Sequence, residues 1–271
     1  MSRRRYQENY KKTKLVVITG ITGKLGQAYI KALVKHKDVK CVGFTRREPE
    51  KLLDGVEYRY ADLLNKSQVR KVVRSLRLWK FKEVILIHPV GMFKFEMFGF
   101  PGVDKDKDGI DDEVFASNVL TFLHIFNALK QKVEKIKGLR FTICAFGSIS
   151  DKYNIPFWKS YTKSKDFLRG VIKSAALNDK SKLIRAIFVN VSTTDTGNER
   201  NLRPYANRKY WLKPKEIVKA SLPLILKKKD IWNELNIYKP NPNFDPTWYT
   251  NHENVLKRWE MQIGTNERRN N

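Results

Sequence analysis

Short runs of aliphatic and β-branched residues recur along the chain, and the stretches between them repeat apolar residues every three or four positions. The first run is Lys14-Leu-Val-Val-Ile-Thr19. Comparable runs are Val39 to Phe44, Val56 to Tyr60, Lys82 to Ile87, Leu139 to Phe146, Lys182 to Val189 and a last one near Leu235 to Tyr238. Near-continuous apolar character over so few residues is that of strands buried on both faces. Between them the spacing predicts helices from Gln27 to about His36, from Asn65 to Leu78, from Asp112 to about Lys137, up to Leu177, and from Pro214 to Lys228. In the Asp112 helix, Phe115, Val119, Phe122, Phe126, Leu129 and Val133 follow at intervals of 4, 3, 4, 3 and 4. That is one apolar face, and Leu120 and Leu123 widen it enough for both a core and a partner helix. Strands alternating with helices predict a doubly wound parallel α/β sheet in three layers, α/β/α, as a single domain over residues 14–245. Residues 1–13 read as a disordered basic arm, 197–213 as a flexible polar loop, and 246–271 as a partly helical tail around Asn254 to Met261. There is no internal repeat.

The first strand runs into Gly20-Ile-Thr22-Gly23-Lys24-Leu25-Gly26 and then a helix. Strand, glycine turn and helix form the context in which backbone can approach a pyrophosphate at a helix N-terminus, where free N–H groups and the dipole favour negative charge. The second strand ends in Thr45-Arg46-Arg47, with no acid at its tip. An acid there would hold a free ribose 2′-hydroxyl and an arginine a 2′-phosphate. Arg46 and Arg47, with Lys24 nearby, therefore select NADP(H) over NAD(H).

Downstream of the fifth strand, Tyr161 and Lys165 stand four apart, which on a helix places them on one face. A lysine beside a tyrosine favours the phenolate and so lets the phenol act as an acid or base near neutrality. Ser148, at the strand end, can donate a hydrogen bond to a substrate oxygen. His88 reads as a strand-end residue, with no partner His or Cys near it in sequence. Residues 92 to 103 are rich in aromatics and read as a loop over a substrate pocket or packed on the core. Asp104, Asp106, Asp108 and Gly109 match positions 1, 3, 5 and 6 of a calcium loop, but Phe115 occupies position 12, where a glutamate is needed. No metal is expected.

The whole chain has 271 residues, 41% of them hydrophobic, and 54 basic against 28 acidic residues, a formal net charge of +26. This excess attracts anions, yet the lysines are spread along the chain and no nucleic-acid-binding motif accompanies them, so nucleic acid is not expected as a partner. No apolar run approaches the ~20 residues of a membrane span, and the N-terminus lacks the apolar centre of a signal peptide. The two cysteines, Cys41 and Cys144, fall in predicted buried strands and read as core residues of a protein in a reducing, cytoplasmic setting.

Together these features resemble the short-chain dehydrogenase/reductase family over roughly residues 14 to 240. The resemblance rests on Thr19-Gly20-x-x-Gly23-x-x-Gly26, Asp62, Asn118, Ser148, Tyr161-x-x-x-Lys165 and Thr196, with the family's usual interval of 13 from Ser148 to Tyr161. It implies Tyr161 as general acid/base and Lys165 as binder of the nicotinamide ribose. It also implies Ser148 as the polarising group and Asn118 as anchor of a relay water. Asp62, followed by Leu63, would lie at the adenine, and Thr196 at the nicotinamide end. The family's Asn-Asn-Ala-Gly is His88-Pro-Val-Gly91 here, and its Pro-Gly after strand six is Val191-Ser192. The glycine turn looks more like those of extended and atypical members, though little room remains for their substrate domain. The expected activity is hydride transfer between NADP(H) and a carbonyl or alcohol on a small molecule, in a homo-oligomer, dimer or tetramer. The alternatives are a sugar-nucleotide epimerase or dehydratase, or a non-catalytic NADP(H)-binding scaffold.

Overall fold

The computed structural model describes residues 13–49, 52–96, 103–150, 157–227, 230–239 and 251–264. Seven strands form one parallel sheet in the order β3-β2-β1-β4-β5-β6-β7. They are β1 (Lys14–Thr19), β2 (Val39–Thr45), β3 (Val56–Tyr60), β4 (Glu83–His88), β5 (Arg140–Ser148), β6 (Ile184–Val191) and β7 (Trp232–Ile237). The helices are α1 (Lys24–Leu33), α2 (Lys66–Ser75), α3 (Asp112–Phe115), α4 (Thr121–Val133), α5 (Lys159–Leu177), α6 (Gly197–Leu202), α7 (Pro214–Lys227) and α8 (His252–Ile263).

The period of two along the strands divides the core. Val16 and Ile18 face Tyr29, Ile30, Ile217 and Ile225 of α1 and α7. Leu15 and Val17 face the other layer, where Val69, Val73, Phe122, Leu129, Leu168 and Ile172 of α2, α4 and α5 pack. At the amino edge, buried Glu83 accepts hydrogen bonds from Thr142 Oγ1 (2.6 Å) and Arg185 Nη2 (3.1 Å). Cys41 and Cys144 are buried and not joined in a disulfide.

Three expectations change. The long helix is interrupted by a π-helical turn, Ala116–Leu120, between α3 and α4, and ends at Val133. Phe122 and Phe126 on it are buried, and Phe126 stacks on Phe141. The apolar face offered as an oligomer contact is thus consumed by the chain's own core. The segment 197–213 carries α6 and a 3₁₀ turn, Arg208–Tyr210. Thr196 caps α6 by accepting from the Glu199 N–H (3.3 Å), a Thr-x-x-Glu capping signal that the loop reading passed over. The arm 1–12 lies outside the described residues. The tail forms α8, which packs through Val255 and Trp259 on Phe95 and Trp158. None of the described helices is long and apolar enough to cross a membrane.

Candidate active site

Strand order reverses between β1 and β4, so the connections that follow them diverge and leave a crevice at their carboxyl ends. Here Thr19 Oγ1 and His88 Nδ1 are 2.8 Å apart and link the two strands. Gly20 follows β1 with φ +57°, and a Cβ on it would come 2.9 Å from Val90 Cγ2. A Cβ on Gly26 would meet the Gly20 carbonyl oxygen at 2.4 Å. Only glycine lets the turn fold back this tightly, and it delivers the chain into α1, whose N-cap Gly23 has no side-chain cap. The first N–H groups of α1 are thereby left for an outside acceptor. Thr22, Gly23 and Lys24 are exposed and Leu25 is half-buried. This turn fits a dinucleotide pyrophosphate.

The second part of the site lies at the ends of β2 and β3. A cleft of about 340 Å³ is lined by Arg46, Arg47, Tyr60, Ala61, Asp62 and Gln68. Both arginines are exposed. Asp62 caps the following turn by accepting from the Leu64 N–H (3.0 Å). The side chain of Leu63 points elsewhere, into the core.

The third part joins β5, α5 and the π-helical turn. Ser148 ends β5, and its side chain lies near enough to the Tyr161 hydroxyl to lower the pKa of the phenol. Lys165 Nζ lies over the Tyr161 ring, 5.6 Å from its centroid. Lys165 is buried, one turn beyond Tyr161 on α5. Asn118 is fully buried within the π turn. Its Oδ1 accepts from the Met92 N–H (2.8 Å), and its Nδ2 donates to the Met92 carbonyl and to Ser164 Oγ (both 2.9 Å). Ser164 Oγ in turn donates to the Tyr161 carbonyl (2.7 Å). A Cβ on Gly91 would come 2.8 Å from Asn118 Oδ1 and 3.0 Å from Lys165 Nζ. Gly91, the last residue of the departing His-Pro-Val-Gly, therefore keeps the space that the lysine needs.

Burial sets the electrostatics. It brings the Lys165 ammonium down to about 8. It pushes the Tyr161 phenol up to about 12, opposed by the Ser148 side chain and aided by the Glu199 carboxylate. The phenolate expected from a neighbouring lysine is not favoured here, because desolvation outweighs a charge held over the ring. His88 is driven down to about 3, first by burial and then by the Lys165 charge. It is a neutral imidazole between Thr19 and Thr121 Oγ1 (3.3 Å from Nε2), as a strand-end residue should be.

Sequence reading missed the wall beside Tyr161. Phe93 meets Tyr161 edge-on at 5.2 Å and Trp158 at 5.1 Å, and Trp259 of α8 packs 5.1 Å from Trp158. Arg203, also buried, lies over Trp259 (4.4 Å) and Trp211 (5.0 Å) and ion-pairs with Glu199. Only the aromatic density of residues 92–103 signalled such a wall, and residues 97–102 lie outside the described ones. Thr196, the α6 cap, stands beside Asp195, whose carboxylate binds Arg200 bidentately (2.6 and 2.8 Å) and feels the charge of Lys24. The carboxylates of Asp104, Asp106 and Asp108 converge within 4.8 Å of one another. Phe115, at the position of the closing glutamate, packs on Phe167 instead.

Comparison with known proteins agrees with this architecture. The family described as short chain dehydrogenase matches residues 14–207. No curated protein sequence matches the chain. Among solved structures, an aldohexose dehydrogenase of Thermoplasma acidophilum is 16% identical, with TM-score 0.70, covering 87% of this chain and 98% of its own. The 3-ketoacyl-(acyl-carrier-protein) reductase of Brucella melitensis, complexed with NADH, is 20% identical, with TM-score 0.68 and coverage of 83% and 97%. A short chain dehydrogenase of Burkholderia cenocepacia, in complex with NADP, is 17% identical, with TM-score 0.67 and coverage of 92% and 98%. These likenesses are of fold. With the family match over 14–207 and the glycine turn at the strand-order reversal, the chain belongs to the short-chain dehydrogenase/reductase family of NAD(P)-dependent oxidoreductases.

Proposed function

We propose that this protein reduces a carbonyl compound to the alcohol with NADPH, and that Tyr161 is the proton donor. The observation that carries the reading is Tyr161 beside Ser148, with Lys165 one turn away on the same helix. A phenol pushed up to about 12 holds its proton through the neutral range, so Tyr161 enters the reaction protonated, as the acid. Ser148 donates a hydrogen bond to that oxygen and shares its developing negative charge. Lys165, charged below about pH 8, adds a positive field at the same place and binds a ribose hydroxyl of the cofactor. The cofactor supplies the hydride when bound. Asn118 braces the Met92 segment against α5 and so holds Tyr161 in position. Its Oδ1 accepts one bond, from the Met92 N–H, which leaves its second lone pair for a relay water.

The glycine turn and the α1 N-terminus take the pyrophosphate. Arg46 and Arg47 take the 2′-phosphate, with Lys24 near. Asp62 lies beside the adenine and Thr196 near the nicotinamide. The exposed Phe167, in contact with Phe115, supports a homo-oligomer built on α3 and α5; a monomer by light scattering refutes that part. NADPH oxidation followed by absorbance over a panel of carbonyl and sugar-nucleotide substrates tests the reading. Turnover of a carbonyl that is lost in Tyr161→Phe supports it. Turnover that Tyr161→Phe leaves unchanged removes Tyr161 from the mechanism.

A further inference from the structure

On the layer formed by α2 and α4, away from the crevice, the segment from Leu63 to Lys82 contains seven basic residues and no acid. Helix α2 turns Val69 and Val73 into the core and leaves Lys66, Arg70, Lys71 and Arg74 exposed, with Arg77 exposed just beyond its end. None of these five is ion-paired with a carboxylate among the described residues. Lys66, Arg70 and Arg74 succeed one another at intervals of four and repel along one face. They line, with Lys71, a concave surface of about 850 Å³. Five residues past Arg74 stands Trp79, the most exposed tryptophan described, at 62%. Its indole opens on a second hollow of about 540 Å³ with Lys82, Lys137 and Arg140.

From these observations we propose that α2 and the Trp79 turn form a binding surface for single-stranded nucleic acid, separate from the dehydrogenase crevice. A row of unpaired bases tracks phosphates, and an exposed aromatic offers a stacking platform that any base can use. The same charge would attract an anionic lipid surface, but an interfacial helix needs an outward apolar face. The apolar face of α2 is buried against the sheet, and only charge points outward. Spread charge along the chain made nucleic acid an unexpected partner; the fold presents this basic segment beside Lys137 and Arg140, the latter paired with Glu83 (3.7 Å).

The test uses the full chain and a fluorescein-labelled uridine oligomer about 20 nucleotides long, titrated by anisotropy over a series of salt concentrations. The expected result is saturable binding that weakens with salt. Arg70→Glu with Lys71→Glu and Arg74→Glu should lower affinity at least ~10-fold and reduce the log–log salt slope by about 2, since each single-strand phosphate contact contributes ~0.7. Trp79→Ala should lower affinity about 10-fold with little change in slope. Both variants should bind NADPH normally by nicotinamide fluorescence, which confirms the fold and leaves the oxidoreductase reading untouched. A control reversal of Lys215, Lys219 and Lys227, exposed on α7 in the opposite layer, should leave oligomer affinity nearly unchanged. An equal loss in that control means binding by net charge alone and overturns the surface. No binding at micromolar protein overturns the proposal as well. Binding of phosphatidylserine vesicles, lost on the same α2 reversal and without any oligomer binding, overturns the choice of partner.

Discussion

Two charged groups stand at the carboxyl edge of the same sheet and are built in opposite ways. Beside β4, β5 and α5, Lys165, Asn118 and His88 are buried, and their surroundings move Lys165 down to about 8, Tyr161 up to about 12 and His88 down to about 3. At the ends of β2 and β3, Arg46 and Arg47 stand in solvent around an open cleft. A buried group is displaced toward its neutral form because desolvation opposes charge. An exposed guanidinium keeps its charge and offers bidentate recognition, screened by salt. In the function proposed above, one region serves proton chemistry and the other discrimination between cofactors.

The comparison breaks first at Tyr161. Tyr161→Phe should lower turnover by a factor on the order of 10² or more, the scale of general acid–base catalysis, while NADPH affinity measured by fluorescence stays nearly the same. Lys165→Met should have two opposite effects. It should lower both rate and cofactor affinity, yet stabilise the fold. The folded lysine binds fewer protons than the unfolded one between about pH 8 and 10.5, so its contribution to stability rises with pH through that window and is unfavourable below it. The displacement from 10.5 to about 8 corresponds to about 3 kcal/mol at neutral pH. Thermal melts at pH 7 should therefore favour the methionine variant, and melts near pH 11 should not. Equal melting temperatures at pH 7 would show that Lys165 is better solvated than its burial indicates.

Arg46→Ala with Arg47→Ala should remove most of an at least ~10-fold preference for NADP(H), since charge-assisted bonds contribute ~1.5–3 kcal/mol each and ~1.4 kcal/mol is a decade. NAD(H) affinity should hold. Calorimetry with both cofactors at two salt concentrations decides it: equal affinities in the unmutated protein sink the assignment, and a preference that fades with salt sharpens the contrast with the buried centre. The pH profile of carbonyl reduction should be flat through neutrality and fall by several-fold above about pH 8 as Lys165 loses its proton, because Tyr161 stays protonated to about 12. A decline starting below pH 7 would point to a different group. The smallest effect concerns calcium. Added calcium should move neither melting temperature nor rate, because Phe115 supplies no closing carboxylate for Asp104, Asp106 and Asp108. A shift of several degrees that Asp106→Ala abolishes would refute this.

Much of the site was legible because its signals are local. The turn from Gly20 to Gly26 follows β1 directly, and Tyr161 and Lys165 share a helix face through spacing alone. The five inner strands announced themselves as apolar runs, because helices on both sides of the sheet bury both of their faces, while the edge strands β3 and β7 are only half-buried. Boundaries shifted where a cap decided them: α1 begins at Lys24, and Thr196 starts a helix where polar composition implied a loop.

Other features depend on residues far apart in sequence. Asn118 is a polar amide within an otherwise apolar helix face, and only the tertiary structure supplies its partners, Met92 and Ser164. Phe122 and Phe126 are equally suited to a core and an interface; packing against Phe141 assigned them to the core. The wall of Phe93, Trp158, Trp259 and Arg203 joins four separated segments. The direction of the Tyr161 displacement was the clearest tertiary outcome. Spacing put a lysine beside the phenol and argued for the anion, but desolvation by the surrounding packing pushes the phenol up instead. The sequence by itself determined the order of strands and helices and which residue types could meet at the sheet edge, since these follow from local propensity and periodicity. Depth in the fold decided their protonation, because desolvation depends on everything packed around a group and not on its neighbours in the chain.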